Sequence, residues 1–85
     1  MSVSIELGDQ RGRALSFDGD VVSAVCPAAV APGTRVAIAV VLDGRCLDLR
    51  GKSLGSKRRA DGQFDIGVRL INLSRIEREA LARAL

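Results

Sequence analysis

Apolar and polar residues alternate with a period of two over most of the chain, the pattern of β-strands that bury one face. The clearest strand is Thr34–Leu42, in which Val36, Ile38, Val40 and Leu42 share one face and β-branched residues are frequent. On each strand, the apolar residues of one face are predicted to form an inward row, whose side chains point into the interior. These rows are Val3, Ile5 and Leu7; Leu15 and Phe17; Val36, Ile38, Val40 and Leu42; Leu47 and Leu49; and Phe64, Ile66, Val68 and Leu70. With a strand over Asp20–Val25, the pattern predicts six strands.

Glycine-containing turns separate these strands and indicate antiparallel hairpins, because glycine accepts the positive φ that a tight turn requires. The predicted turns are Gly8–Gly12, Asp18–Gly19, Asp43–Gly44 and Asp61–Gly62. Between the first two turns the second strand is predicted over Arg13–Phe17, with Ala14 and Ser16 on its outer side. The fifth strand is predicted over Cys46–Leu54.

Two segments interrupt the regular alternation. Cys26–Gly33 contains both prolines, which remove ladder donors, so it is predicted to be a loop over one end of the core. Gly51 and Gly55 predict bulges or sharp bends, which a small closed sheet needs in order to curve.

The last segment changes to a helical period. Ser74 and Glu77 have the spacing of a capping box, so a helix is predicted over about residues 75–85. At 100° per residue, one half of this helix carries Ile76, Ala80, Leu81, Ala84 and Leu85. Glu79 and Arg83 are spaced for an i, i+4 ion pair on the other half. So short a helix must dock its apolar half on the sheet.

These elements predict a mainly β fold, a six-stranded antiparallel β-barrel with one C-terminal α-helix. The chain has 85 residues, too few for two separate cores, so residues 1–85 are expected to form a single domain.

The amino-acid composition limits the catalytic and metal-binding chemistry that the chain can perform. Histidine, tryptophan and tyrosine are absent, and the aromatic residues are Phe17 and Phe64. This excludes a Ser/His/Asp or Cys/His catalytic arrangement, and no carboxylate pair stands out, so we expect no enzyme and no catalytic residue. Cys26 and Cys46 lack CxxC spacing and histidine partners; both are expected to be reduced, buried and not metal-bound.

The net charge of +3 arises from 13 basic and 10 acidic residues that are interleaved along the chain. A nucleic-acid binder usually has a larger excess of positive charge, so the charge argues against nucleic acid. The apolar stretches are shorter than the roughly 18 to 20 residues of a membrane span, and the first residues do not resemble a secretory signal. A cytoplasmic location is the resulting expectation.

Three segments, in this order, resemble a PilZ domain, the bacterial module best known for binding cyclic di-GMP. They are Ala14–Gly19 (ALSFDG), Ala31–Val36 (APGTRV) and Gly67–Ser74 (GVRLINLS), the last running into the helix. The resemblance covers about Arg13 to Leu85 and implies a six-stranded PilZ-like barrel.

The resemblance is incomplete at the residues that bind the ligand in the family. The family motif is Asp or Asn, any residue, Ser, two residues and Gly; Ser16 and Gly19 match it, whereas Ala14 stands at the Asp or Asn position. The family's upstream RxxxR motif is missing, and Arg11 and Arg13 are two positions apart rather than four. Without paired guanidinium groups the phosphates lose bidentate contacts worth about 1.5 to 3 kcal/mol each. Lost or weak cyclic di-GMP binding is therefore expected, and no cofactor is predicted.

The resemblance implies a degenerate member of the family, an adaptor that binds a bacterial protein partner in cyclic di-GMP signalling, type IV pilus function or motility. The first alternative is a cyclic di-GMP receptor with a degenerate site at Ser16, Gly19, Arg11 and Arg13. The other is binding of nucleic acid or an anionic surface through the basic cluster Lys57, Arg58 and Arg59. A homo-oligomer is compatible with each of these hypotheses.

Overall fold

The computed structural model describes residues 3–42 and 44–85 and contains six strands and one helix. The strands are β1 (Val3–Leu7), β2 (Gln10–Asp18), β3 (Val21–Cys26), β4 (Arg35–Leu42), β5 (Arg45–Arg58) and β6 (Phe64–Ile71), and the helix is α1 (Arg75–Ala84). The prediction of a mainly β fold with a C-terminal helix is confirmed. In the predicted hairpin turn between β4 and β5, Asp43 lies outside the described residues.

The strands form a closed antiparallel barrel in the order β1-β2-β3-β6-β5-β4. β1 closes it by pairing with β4, with Ile5 opposite Val40. The predicted inward rows meet in one core, whose most deeply buried side chains include Ile5, Val22, Val40, Ile66, Val68 and Leu81. Closure into a barrel therefore gives every described strand two neighbours and a single interior to fill.

The prediction for the inward residues of β2 is wrong at its centre. Ala14 is buried and Leu15 is 46% exposed, the reverse of the predicted order. The cause is a bulge: Ala14 pairs with Ala24 and Ser16 with Ser23, so Leu15 has no opposite residue in β3. One extra residue shifts the alternation, which lets Phe17 still pack against the core.

The first turn is shorter than predicted, and β2 begins at Gln10 rather than Arg13. Gly12, assigned to the turn, instead pairs with Ile5 in the strand. The following loop also begins later than predicted, because Cys26 ends β3 opposite Phe64.

β5 is longer than predicted and contains both glycines that were expected to bend it. Gly55 confirms the expectation: the register with β6 shifts between Ser53 and Gly55, and Gly55 has φ +124°. Gly51 keeps the regular register and is there for a different reason. A Cβ at Gly51 would lie 2.6 Å from Cγ1 of Val68 and 2.7 Å from the carbonyl oxygen of Arg69.

The proline-containing loop after β3 is held against the bulged part of β5. The Ser56 hydroxyl accepts a hydrogen bond from Val30 N and donates one to Val30 O, both at 2.8 Å. The buried hydroxyl of Ser53 also donates to Val30 O, at 3.2 Å, and accepts from Gly55 N at 3.1 Å. Val30 packs against the core, as expected for a loop that covers one end of it.

The capping box of α1 is confirmed. Glu77 N donates to Ser74 Oγ at 3.1 Å, and Ser74 N donates to Glu77 Oε1 at 3.0 Å. Leu81 is buried and anchors the helix, with Ala80 and Leu85 packed beside it.

Two details of α1 differ from the prediction. Ile76, assigned to the docked half, is 79% exposed, because the apolar packing of the helix on the core is made by Ala80, Leu81 and Leu85, which lie after its first turn. Glu79 pairs with Arg75, one turn before it, at 3.3 Å rather than with Arg83. Both side chains of this pair are largely exposed, so it contributes little to stability.

Candidate functional site

The two residues that match the family's ligand motif lie at the β2–β3 end of the barrel. Ser16 is exposed near the end of β2, and Gly19 forms the turn with φ +64°. Helix α1 contacts this turn through Arg78. The Nη1 atom of Arg78 donates to the carbonyl oxygen of Gly19 at 2.8 Å and contacts Asp20 Oδ1 at 2.6 Å. Arg78 thus uses acceptors of the turn to fix the helix on the barrel.

The third motif position, Ala14, faces the interior. Its methyl group is 2% exposed and belongs to the core cluster. Any side chain at this position would point away from solvent, and an aspartate would place a carboxylate in apolar surroundings, where the charged form is costly. Position 14 therefore presents no hydrogen-bonding group to a ligand outside the barrel.

Arg11 and Arg13 lie on the outer face of β2, beside a groove of about 530 Å³ that runs over β1, β2 and β4. Arg11 contacts Glu6 on β1, with 3.6 Å between Nε and Oε1, and both side chains are well exposed. Ser16 and Gly19 are not among the residues that line this groove. Gly19 lies six residues after Arg13, about 20 Å of extended chain. The four predicted ligand residues are therefore spread along β2 and do not form one pocket.

The basic cluster Lys57, Arg58 and Arg59 lies where β5 ends, as the sequence indicated. Its three members differ in their surroundings. Arg59 Nη1 donates to Asp65 Oδ1 at 2.7 Å, and its buried Nε faces Asp61 Oδ2 at 3.7 Å, too far for a hydrogen bond. The hydrogen bond and charge of Asp65 raise the pKa of Arg59 above its usual value. Arg59 therefore stabilises the β5–β6 turn, while Lys57 and Arg58 are exposed.

The chemistry available in the described residues is limited. Cys26 is buried and its burial raises the pKa of the thiol, so the nucleophilic thiolate is disfavoured. Cys46 is a free thiol, as expected, but it is exposed rather than buried because it lies on the outer side of β5. Residues 3–42 and 44–85 contain no group of three or more His, Cys, Asp or Glu side chains placed to hold a metal ion.

An apolar surface that the sequence did not predict lies on the outer side of β2, β3, β6 and β5. It contains one exposed leucine at each bulge: Leu15 on β2 is 46% exposed, and Leu54, which continues the outward row of Arg50 and Lys52 on β5, is 50% exposed. Between them, Ser23 on β3 pairs with Gly67 on β6, and Gly67 pairs with Gly55 next to Leu54. We call Leu15, Ser23, Gly67 and Leu54 the leucine saddle.

The floor of the leucine saddle is low because Gly67 has no side chain. Leu54 leans over this position, so that a Cβ at Gly67 would lie 3.7 Å from Leu54 Cβ. Three strand spacings separate β2 from β5, which is half of the six-strand ring, so the leucine saddle curves around the barrel and carries one leucine at each end. Period-two alternation places Leu54 outward with Arg50 and Lys52, but it assigns Leu15 to the inward row of Phe17, so the surface as a whole could not be predicted without the bulge in β2.

Comparisons with protein-family models, with curated proteins and with solved structures found no match to this chain. Within the described ranges, none of the helical structure is long and apolar enough to cross a membrane.

Proposed function

We propose that this chain is a non-enzymatic, PilZ-like adaptor of bacterial signalling, possessing weak or no affinity for cyclic di-GMP and acting by binding another protein. The observation that carries the proposal is the leucine saddle. Two exposed leucines flank a floor of small residues: Leu15 at the bulge of β2, and Leu54 in the outward row of β5. Such a surface fits an apolar contact with a partner better than it fits a charged nucleotide.

The surroundings of the motif residues support the same proposal. Ala14 offers no polar group, and Gly19 O accepts from Arg78 within the chain. Arg11 and Arg13 lie beside a different surface from Gly19. A doubly anionic nucleotide would thus meet neither the paired arginines nor the acidic or amide side chain that the family motif supplies.

A capture experiment with matched variants tests the protein-binding function. The immobilised protein is exposed to a bacterial lysate, and bound proteins are identified by mass spectrometry. We expect a specific partner that Leu54→Glu loses and that Ile76→Glu retains, because Ile76 is at least as exposed but lies on α1, outside the leucine saddle. Circular dichroism checks that both variants fold. Equal retention by both variants, or no specific partner, would refute the proposal.

A calorimetric titration with cyclic di-GMP tests the weak affinity. The groove beside Arg11 and Arg13 is the place on the outer face where a degenerate receptor would hold its ligand. We expect no saturable heat at about 0.1 mM nucleotide, because two missing charge-assisted contacts lower the affinity by orders of magnitude. Stoichiometric binding that Arg13→Ala abolishes would favour the receptor instead. Restoring an aspartate at position 14 is a poor test, since it would alter the core.

A further inference from the structure

Three cations lie side by side across the outer face of β4, β5 and β6. Arg35 on β4 is directly opposite Lys52 on β5, and Lys52 is directly opposite Arg69 on β6. All three side chains are exposed, and Arg50 lies two residues before Lys52 on the same face. We call Arg35, Lys52, Arg69 and Arg50 the cationic row.

The cationic row is unneutralised within the described part of the chain. The ion pairs there join Arg11 to Glu6, Arg59 to Asp61 and Asp65, Arg75 to Glu79, and Arg78 to Asp20. None of them involves a member of the row. Asp48 and Glu77 line the same groove as Arg35 and Arg50. Neither is among the ion pairs of the described residues, and Glu77 Oε1 accepts the hydrogen bond of the capping box. Like charges directly opposite each other destabilise a sheet, so this arrangement is costly unless an anion covers it.

The cationic row is continuous with the leucine saddle. Lys52 and Leu54 are successive outward residues of β5, and Arg69 and Gly67 are successive outward residues of β6. Together they form an apolar centre with a positively charged border on one side. This is the usual anatomy of a protein-binding surface, an apolar core with a polar rim.

From this juxtaposition we propose that the cationic row binds an acidic segment of the partner protein, while the leucine saddle holds apolar side chains of the same partner. The inference rests on the protein-binding function proposed above and specifies the chemistry of that partner. Arginine matches the bidentate geometry of a carboxylate, and carboxylates on alternate residues of an extended segment repeat every 6 to 7 Å, about the spacing of Arg50 and Lys52 along β5.

Other anions fit this surface less well. Single-stranded nucleic acid is bound largely by stacking of bases on aromatic side chains, but both aromatic residues, Phe17 and Phe64, pack against the core. Four cations also provide few phosphate contacts compared with the 6 to 10 or so of a strong duplex binder.

The test uses a fluorescein-labelled peptide of about eight residues, long enough to cross the barrel, in which glutamate alternates with serine. Fluorescence anisotropy is measured with the full chain at about 20 mM salt, and the same peptide with glutamine in place of glutamate is the uncharged control. We expect saturable binding of the glutamate peptide alone. Lys52→Glu should weaken it at least tenfold, whereas Lys57→Glu, the same change of charge outside the row, should weaken it less than about threefold.

Several results would overturn the inference. One is that the glutamate peptide does not bind. Another is that Lys52→Glu and Lys57→Glu weaken peptide binding equally. The third is that a DNA or RNA oligonucleotide, or phosphatidylserine vesicles, bind more tightly than the peptide.

The Leu54→Glu variant separates this inference from the proposed function. If the lysate partner is lost with Leu54→Glu and the peptide does not bind, the inference fails and the protein-binding function stands. If the peptide binds through Lys52 but no specific partner is captured, the protein-binding function fails.

Discussion

Individual residues of the barrel are constrained mainly by how closely their neighbours approach. Gly51 and Gly67 both lie in strands, but only Gly51 faces the interior, where a Cβ would meet Val68 at 2.6 Å. A Cβ at Gly67 would make ordinary contacts with Leu54 at 3.7 Å or more. The two glycines therefore look alike in the sequence and differ in their tolerance of a methyl group.

We expect Gly51→Ala to lower the free energy of unfolding by about 1 to 3 kcal/mol, because the added methyl group overpacks the core and meets a backbone carbonyl that cannot move alone. Urea denaturation followed by circular dichroism measures the change. Gly67→Ala is the matched control and should change stability by less than about 1 kcal/mol. Equal effects of the two substitutions would contradict the close approach at Gly51.

The buried thiol of Cys26 makes stability depend on pH. Its pKa is raised in the folded protein by desolvation, whereas the unfolded chain has the ordinary value of 9.0. Above pH 9.0 the unfolded state loses this proton first, so the free energy of unfolding should fall as pH rises, by at most about 1.4 kcal/mol per pH unit. Urea denaturation between pH 8 and 10 or so measures the slope. The contribution should vanish in Cys26→Ala and persist in Cys46→Ser; a slope unaffected by Cys26→Ala would contradict it.

Among the elements, α1 depends on its cap and on one anchor. The helix has 10 residues, too few to be stable alone, and Leu81 is its buried side chain. Arg78 adds a contact with the β2–β3 turn at Gly19 and Asp20. The first turn of α1 includes the exposed Ile76 and is therefore held by the capping box and by Arg78 rather than by apolar packing.

We expect Ser74→Ala to lower the free energy of unfolding by about 1 kcal/mol, since Glu77 N loses its acceptor at the start of the helix. Ser74→Asp should keep most of the stability, because aspartate is also a good N-cap residue. Urea denaturation compares the two variants, and far-ultraviolet circular dichroism reports helix content. If both substitutions had the same effect, the hydroxyl would not be acting as the cap.

Elements were predictable where the local pattern is regular. The inward row of β6 and the capping box at Ser74 follow from residues that lie next to each other in sequence. The inward order of Ala14 and Leu15 was not predictable, because it depends on a bulge set by pairing with β3. Both candidate surfaces have the same limit: the leucine saddle depends on the bulge in β2 and on the pairing of four strands, and the cationic row depends on the register of three strands. Cross-strand neighbours are chosen by the whole sheet, not by the strand itself.

On the scale of the whole molecule, charge is distributed unevenly although the net charge is modest. Several of the acidic side chains pair with cations elsewhere, while the cationic row has no such partner among the described residues. A substitution that removes positive charge from the cationic row is therefore expected to raise the stability of the fold and to weaken binding of an acidic partner.

We expect Lys52→Glu to raise the free energy of unfolding by about 1 kcal/mol, since it converts two like-charged pairs, with Arg35 and Arg69, into two opposite-charged pairs. The gain should shrink at about 0.5 M salt because the charges are exposed. Lys57→Glu should have the opposite sign, because Lys57 is opposite Asp65. Urea denaturation at both salt concentrations measures these changes, and a destabilised Lys52→Glu variant would contradict the repulsion within the row.

The way in which β1 joins β4 limits how the barrel can meet other chains. Among the residues that the structure describes, the β1–β4 ladder has three residue pairs, Ile5 to Leu7 opposite Val40 to Ile38, whereas the β1–β2 ladder has five. With this short ladder intact, each of the six described strands has a neighbour on both sides, so they present no open sheet edge to which an incoming strand could hydrogen-bond. Strand exchange or strand addition would first have to separate two strands, and the β1–β4 ladder is the shortest among the described residues. Amide hydrogen exchange at Ile5 to Leu7 would therefore report how often the barrel opens there.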